Sequence, residues 1–234
     1  MQAMKRLAII TICITIILIT GINGYAQAVL GISAGGGAGK LSQEFTQSGN
    51  PVTFSYSAPG TYISGELTWG RIYLDMSLAL LFASDNVRLG DSKVDLSEYS
   101  TKLALDFTAI GIGYLYPLTD KLEVGGALGF HVAAPTLTPN DLNDVTKLRF
   151  GGYYGLIGLN AVPRIRYSIN SSFKLTLSLP FGKDFGAMSE DIVVGNIRVG
   201  KSPAIVQPES LKPEFKGFTY GIYISVGYFF KLNR

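Results

Sequence analysis

The chain holds one cysteine, one histidine and one tryptophan in 234 residues. Cys13 lies in an uncharged N-terminal run, so residues 29–234 have no cysteine. That excludes disulfides, a thiolate nucleophile and Cys-ligated metal from this part of the chain. His131 has no second histidine beside it, and a metal site there would need carboxylates alone as its other ligands. No G-x-S-x-G elbow accompanies it to build a nucleophilic triad. The run Gly35–Lys40 imitates a phosphate loop, but Ala34 stands where the first glycine belongs and Leu41 where Ser or Thr is required. A large charge of one sign is also missing. Removing Lys5 and Arg6 from the 20 Lys and Arg leaves 18, against 17 Asp and Glu. Such a balance argues against a nucleic-acid partner. Beyond residue 28 no stretch reaches 18 uninterrupted apolar residues, which excludes a membrane helix there. The expectation is a non-enzyme with no cofactor and no metal.

What is present is alternation. From Gly217 to Leu232 every even position is apolar or aromatic (Phe218, Tyr220, Ile222, Ile224, Val226, Tyr228, Phe230, Leu232), while odd positions are small, polar or mixed. Period two over sixteen residues predicts a long strand with one apolar face. A strand crossing a bilayer needs roughly 9–11 residues, whereas strands of soluble proteins average about 5–6. At the other terminus Lys5 and Arg6 precede an uncharged run and then Ala26-Gln27-Ala28. This reads as a signal peptide over 1–28, cleaved after Ala28, with 29–234 as one barrel domain. The competing reading is an uncleaved anchor helix.

Eight strands are predicted: Val29–Gly37, Thr61–Trp69, Ile72–Ala83, one starting at Lys102, Leu122–Val132, Tyr154–Tyr167, Phe173–Phe181 and the C-terminal strand. The fourth changes phase between Phe107 and Ile110, which predicts a β-bulge near Thr108–Ala109. Connections alternate long and short: Lys40–Pro59, Gly70-Arg71, Ser84–Ser100, Pro117–Lys121, Ala133–Lys147, Asn170–Ser172, Lys183–Glu214. Short turns on one side and long loops on the other are the rhythm of a closed antiparallel transmembrane β-barrel. Ten strands result if Val52–Ser57 and Ile192–Val199 also span. A soluble eight-stranded barrel, with its apolar face inward, is the competing architecture.

The stretch GYLYPLTDKLEVGGALGF, Gly113–Phe130, resembles the strand–turn–strand unit of small outer-membrane β-barrels of the OmpX, OmpA-domain and OmpW kind. The final strand is similar to the segment through which such chains meet the barrel-assembly machinery, although Lys231–Arg234 follow the last aromatic. The resemblance implies a bacterial outer membrane, a lipid bilayer as environment and external loops that meet host or extracellular ligands.

Three groups of residues stand out on this frame. Glu66, Asp75, Glu123, Arg164, Arg166 and Lys174 fall on inward faces within about five residues of the short turns. Buried charge demands pairing, so they predict a salt-bridge layer across the lumen. It is a structural plug or, in the other reading, a gate or proton-linked switch. Above it Ala79, Leu81, Ala127, Gly129, His131, Leu156 and Gly158 outline a candidate pocket. Trp69, Tyr167 and Tyr228 suit an outward aromatic girdle. Two functions stay open: a structural, surface-interaction or adhesion protein with a plugged lumen, and a transporter or binder of a small apolar ligand.

Overall fold

The computed structural model describes residues 28–47, 50–83, 86–141, 155–187 and 211–232, of which 45–47, 50, 187 and 211–216 are described by backbone alone. The expected signal peptide, apart from Ala28, lies outside the described residues, as do Tyr154 and Ile192–Val199.

The strands are β1 (Ala28–Gln47), β2 (Asn50–Trp69), β3 (Ile72–Phe82), β4 (Val87–Leu89), β5 (Ser92–Lys93), β6 (Tyr99–Pro117), β7 (Leu122–Pro139), β8 (Leu156–Ser168), β9 (Phe173–Ser178), β10 (Phe181–Ala187) and β11 (Leu211–Lys231). All pairings are antiparallel, and the ring runs β1, β2, β3, β6, β7, β8, then β9 with β10, then β11. Pairing of β11 with β1, from Val29↔Lys231 through Leu41↔Thr219 and beyond, closes it. The barrel therefore has eight strand positions and no free edge around its girth. Backbone N–H and C=O groups then find partners without water, which a span through lipid requires.

The seventh position is broken where one continuous strand was expected. Pro180 has no N–H to give to a ladder. The chain bridges the break with Leu179 N–H to the Pro163 carbonyl at 3.0 Å and Gly221 N–H to the Pro180 carbonyl at 3.0 Å. Side-chain parity survives, since Thr176, Ser178, Gly182 and Asp184 all face inward and are buried. In β6 the register against β7 shifts between Thr108 and Ile110. This bulge keeps Leu105, Phe107, Ile112 and Tyr114 on the outside although their numbers change parity.

Four expected loops contribute strand, one of them over most of its length. Lys40–Pro59 forms the upper halves of β1 and β2, registered as far as Gln47↔Asn50. Val52–Ser57 is thus the top of β2 and not an extra span. Ala133–Pro139 continues β7, and the ends of the expected loop Lys183–Glu214 belong to β10 and β11. Within Ser84–Ser100 the hairpin β4–β5 pairs with β2 through Phe54↔Leu89 and Tyr56↔Val87. It takes over the place beside β2 where β3 stops.

The reason is a change of hydrophobic phase along the longest strands, plainest on β2. Low on β2 the outward residues are Ile63, Leu67 and Trp69, and the buried ones include Ser64 and Glu66. High on β2 the outward residues are Pro51, Thr53, Ser55 and Ser57, and the buried ones are Phe54, Tyr56 and Ala58. The lower half is built for lipid and the upper half for water. Twenty residues at about 3.3 Å each, tilted by about 40°, rise roughly 50 Å, about 25 Å more than an apolar band of about 25 Å.

The upper half has its own core. Leu41, Phe54, Tyr56, Tyr62, Leu81, Val87, Leu89, Leu96, Leu137, Leu156 and Tyr223 form one buried cluster. Tyr56 staples three elements. Its hydroxyl lies 2.5 Å from the Lys102 carbonyl and 3.1 Å from the Leu81 carbonyl, and its oxygen accepts the Ala83 N–H at 2.7 Å.

In the lower half glycine makes room for aromatic rings. The fully buried Tyr73 ring lies where a side chain at Gly113 would begin, on the neighbouring strand it is registered with. Gly113→Val should cost roughly 1–3 kcal/mol by overpacking. Combined with Tyr73→Ala, its cost should fall well below the sum of the two single changes. Urea titration of the barrel refolded in lipid vesicles measures both.

Candidate functional site: a charged layer across the lumen

β2 and β8 stand four places apart in the ring of eight, on opposite walls. Glu66 on β2 is registered directly against Asp75 on β3, so two carboxylates sit side by side. Opposite them Arg164 and Arg166, two residues apart on β8, point the same way by strand parity. Neither acid has a neutralising neighbour on its own wall. The long guanidinium side chains reach across instead.

Arg164 Nη2 donates to Asp75 Oδ2 at 2.7 Å and to the Tyr62 hydroxyl at 3.1 Å, while its Nη1 donates to Glu66 Oε2 at 3.3 Å. Arg166 grips the Glu66 carboxylate with both terminal nitrogens, Nη1 to Oε1 at 3.0 Å and Nη2 to Oε2. Thr68 donates its hydroxyl to Glu66 Oε1 at 2.7 Å. Below, Glu123 receives Lys174 Nζ at 3.4 Å and lies 3.9 Å from Arg166 Nη1. Three acids and three bases thus make one balanced layer. The guanidinium carbons also stack on rings: Arg164 lies 5.3 Å from the Tyr73 centroid, and Arg166 lies 5.0 Å from that of Phe229. Among the described residues Arg166 is the largest fully buried side chain, at 2 % exposure. Two-pronged, delocalised and always charged, arginine suits such a place better than lysine.

The layer above differs from the expected pocket. Ala79, Leu81 and Leu156 belong to the packed apolar cluster, in which the Tyr62 and Tyr223 rings, from the two strands that flank β1, stack at 4.9 Å. Ala127 packs with Tyr73 and Leu115 lower down. A side chain at Gly129 would run into the Ile110 carbonyl, so the small residue there serves strand contact. Gly158 adjoins His131. Small inward residues make space, but tyrosines from other strands fill it.

A second polar group escaped the sequence reading. His131 Nδ1 lies 2.9 Å from Asp106 Oδ1, and its Nε2 lies 3.3 Å from Asp184 Oδ1. His131 and the Asp184 side chain have no exposure. Gly158 and Gly182 leave the imidazole its place, since a Cβ at either would stand 2.6 Å from Nε2. Asp106 and Asp184 could have been found by carrying inward parity along β6 and past Pro180 into β10. Among the described residues no group of three or more His, Cys, Asp or Glu is placed to hold a metal ion.

Outside, Ile63, Met76, Ile112, Leu128, Leu159, Ile222, Ile224 and Val226 are all about half exposed or more. Soluble monomers do not carry apolar surface on that scale. Trp69 is registered against the outward Ile72 and shares its face. Tyr167 and Tyr228 also point outward, near Tyr114, Tyr116 and Phe173 at the short-turn end. A closed barrel with an apolar, aromatic-bordered exterior and an ion-paired interior is a membrane-spanning β-barrel.

No protein-family model and no curated protein matches the sequence. Solved structures do. The chain is similar to Ail, the attachment invasion locus protein of Yersinia pestis, in complex with the heparin analogue sucrose octasulfate, at 9% identity and TM-score 0.43, covering 87% of this chain and 99% of that one. It is similar to Neisserial surface protein A at 10% identity and TM-score 0.43, covering 86% and 95%. The outer membrane protease OmpT of Escherichia coli is similar at 8% identity and TM-score 0.41, covering 88% and 97%. No ligand, reaction or partner is carried over from them.

Replacing Arg164 with Met leaves Asp75 and part of Glu66 facing a hydrophobic side chain. Stability in vesicles should fall by roughly 3–5 kcal/mol, and Arg164→Met with Asp75→Leu should recover much of it. Asp91→Ala, at an exposed turn, should change stability by no more than about 0.5 kcal/mol.

Proposed function

We propose that this chain is a bacterial outer-membrane barrel of the structural, surface-interaction or adhesion type, with a largely plugged lumen. The observation that carries this reading is the ordered extension of β1–β2 and β6–β7 beyond the apolar band, above a lumen crossed by the charged layer. A channel needs an open path, and here arginines cross it, with the packed apolar cluster that holds the stacked Tyr62 and Tyr223 rings above them. A display scaffold needs a rigid stem, and the upper core supplies one. Export follows from the signal peptide read over residues 1–28, and insertion from the C-terminal strand offered to the barrel-assembly machinery. The partner is then a host or extracellular molecule at the loop end. Neither the lumen layer nor the His131 group offers a substrate-accessible acid–base constellation, which supports a binding role over catalysis.

Transport of a small apolar ligand would need room where Ala79, Leu81 and Leu156 are packed. Planar-bilayer recording separates the two functions. The purified barrel should show no steady conductance, and cells displaying it should lose surface attachment when the β1–β2 tip is cut back to Ala38 and Pro59. A steady open channel in the intact protein, or attachment indifferent to the tip, would count against the proposal.

A further inference from the structure

We propose that the outer wall between β3 and β8 holds one phospholipid of the periplasmic leaflet, its acyl chain in a groove over Gly126 and Ala161 and its phosphate on Arg71. The inference rests on reading the exterior as lipid-facing.

The groove follows from register. Gly126 on β7 lies between Tyr114 on β6 and Pro163 on β8, and the row above it is Ile112, Leu128 and Ala161. Gly126 has no side chain, and Ala161 and Pro163 have short ones. Tyr114, Ile112 and Leu128 stand up beside them at 47%, 48% and 72% exposure. The result is a trough of about 490 Å³, bordered by Ile72 at its short-turn end. Its size falls within the range of small-ligand sites, roughly 300–1,000 Å³. A Cβ at Gly126 would stand 2.9 Å from the Val162 carbonyl oxygen, so close strand contact holds the floor in place.

A second observation points to the head group. Arg71 occupies the short turn next to Ile72, at the foot of the groove. Its Nη1 lies 3.3 Å from the Tyr114 hydroxyl, and its guanidinium carbon lies 5.8 Å from the Tyr116 ring centroid. The two tyrosines fix the fork without neutralising it. Among the described residues no carboxylate forms an ion pair with Arg71, and most of its five N–H donors remain to bind an anion. Guanidinium and phosphate match in charge and in two-point geometry. Short turns mark the periplasmic side, which puts this cation at the head-group level of that leaflet. A second copy of the chain suits the groove less well, because a two-fold contact over this face would bring two Arg71 side chains toward each other.

Native mass spectrometry of the full barrel in detergent tests the site with two probes, dimyristoyl phosphatidylglycerol and dimyristoylglycerol, which lacks the phosphate. The wild type should retain one phosphatidylglycerol. Arg71→Gln should weaken that binding about tenfold or more and leave dimyristoylglycerol unchanged. Ala161→Phe, which fills the trough, should weaken both. Arg71 is exposed, and its side chain meets Tyr114 and Tyr116 at the surface, so its variant keeps the test alive if Ala161→Phe fails to fold. Equal retention of phosphatidylglycerol by wild type and Arg71→Gln would overturn the proposal, leaving ordinary boundary lipid. A dimer in place of the lipid adduct would also overturn it. Vesicle insertion is scored in parallel: a wild type that inserts but shows no selective adduct refutes only this site, whereas one that stays in the aqueous phase refutes the membrane reading itself.

Discussion

Eight strands enclose an interior barely wider than the side chains that line it. Any charge placed on an inner wall is therefore removed from water and must be met from the opposite wall. The Arg164 and Arg166 side chains of β8 do this for Glu66 and Asp75 of β2 and β3. Removing one partner from such a set costs far more than the set contributes beyond a well-packed apolar equivalent. The layer thus fixes which walls face each other and spans the lumen, whatever its net contribution to stability.

A second constraint is the membrane boundary. β1, β2 and β7 pass from lipid to water, and their hydrophobic face changes side as they do so. Between Ile63 and Ser57 on β2 the outward residues turn polar, and the inward residues turn from Ser64 and Glu66 to Tyr62, Ala58 and Tyr56. The barrel is in effect two proteins on one set of strands: a lipid-facing cylinder with an ionic interior, and above it a water-facing cylinder with an apolar interior. The hairpin β4–β5 completes the upper wall where β3 ends, which explains the burial of Val87 and Leu89 within a stretch otherwise rich in Asp, Ser and Lys.

This division also governs what could be read from the sequence. Simple alternation finds the lower half, because apolar-out and polar-in is a uniform rule there. It placed Glu66, Asp75, Arg164 and Arg166 on inward faces, and the bulge in β6 showed itself as a phase break. The upper half follows the inverse rule, so Lys40–Pro59 and Ala133–Pro139 look like polar or proline-bearing loops when judged by the lower one. The pocket was misread for another reason. Counting inward residues on single strands reveals space but not the tyrosines that reach into it from elsewhere, as Tyr62 and Tyr223 do. The Asp106–His131–Asp184 group stayed hidden because Pro180 ends the visible pattern four residues before Asp184, and Asp106 lies just before the bulge.

The central claim is that opposite walls are tied by charge through the middle of the barrel. A double-mutant cycle between Glu66 and Arg166, using Glu66→Gln and Arg166→Met in vesicle-refolded protein, measures that tie most directly. A coupling of at least about 2 kcal/mol is expected for a two-pronged buried pair. A coupling below about 0.5 kcal/mol would mean that water screens the two side chains from each other, and the account of a closed lumen would be wrong.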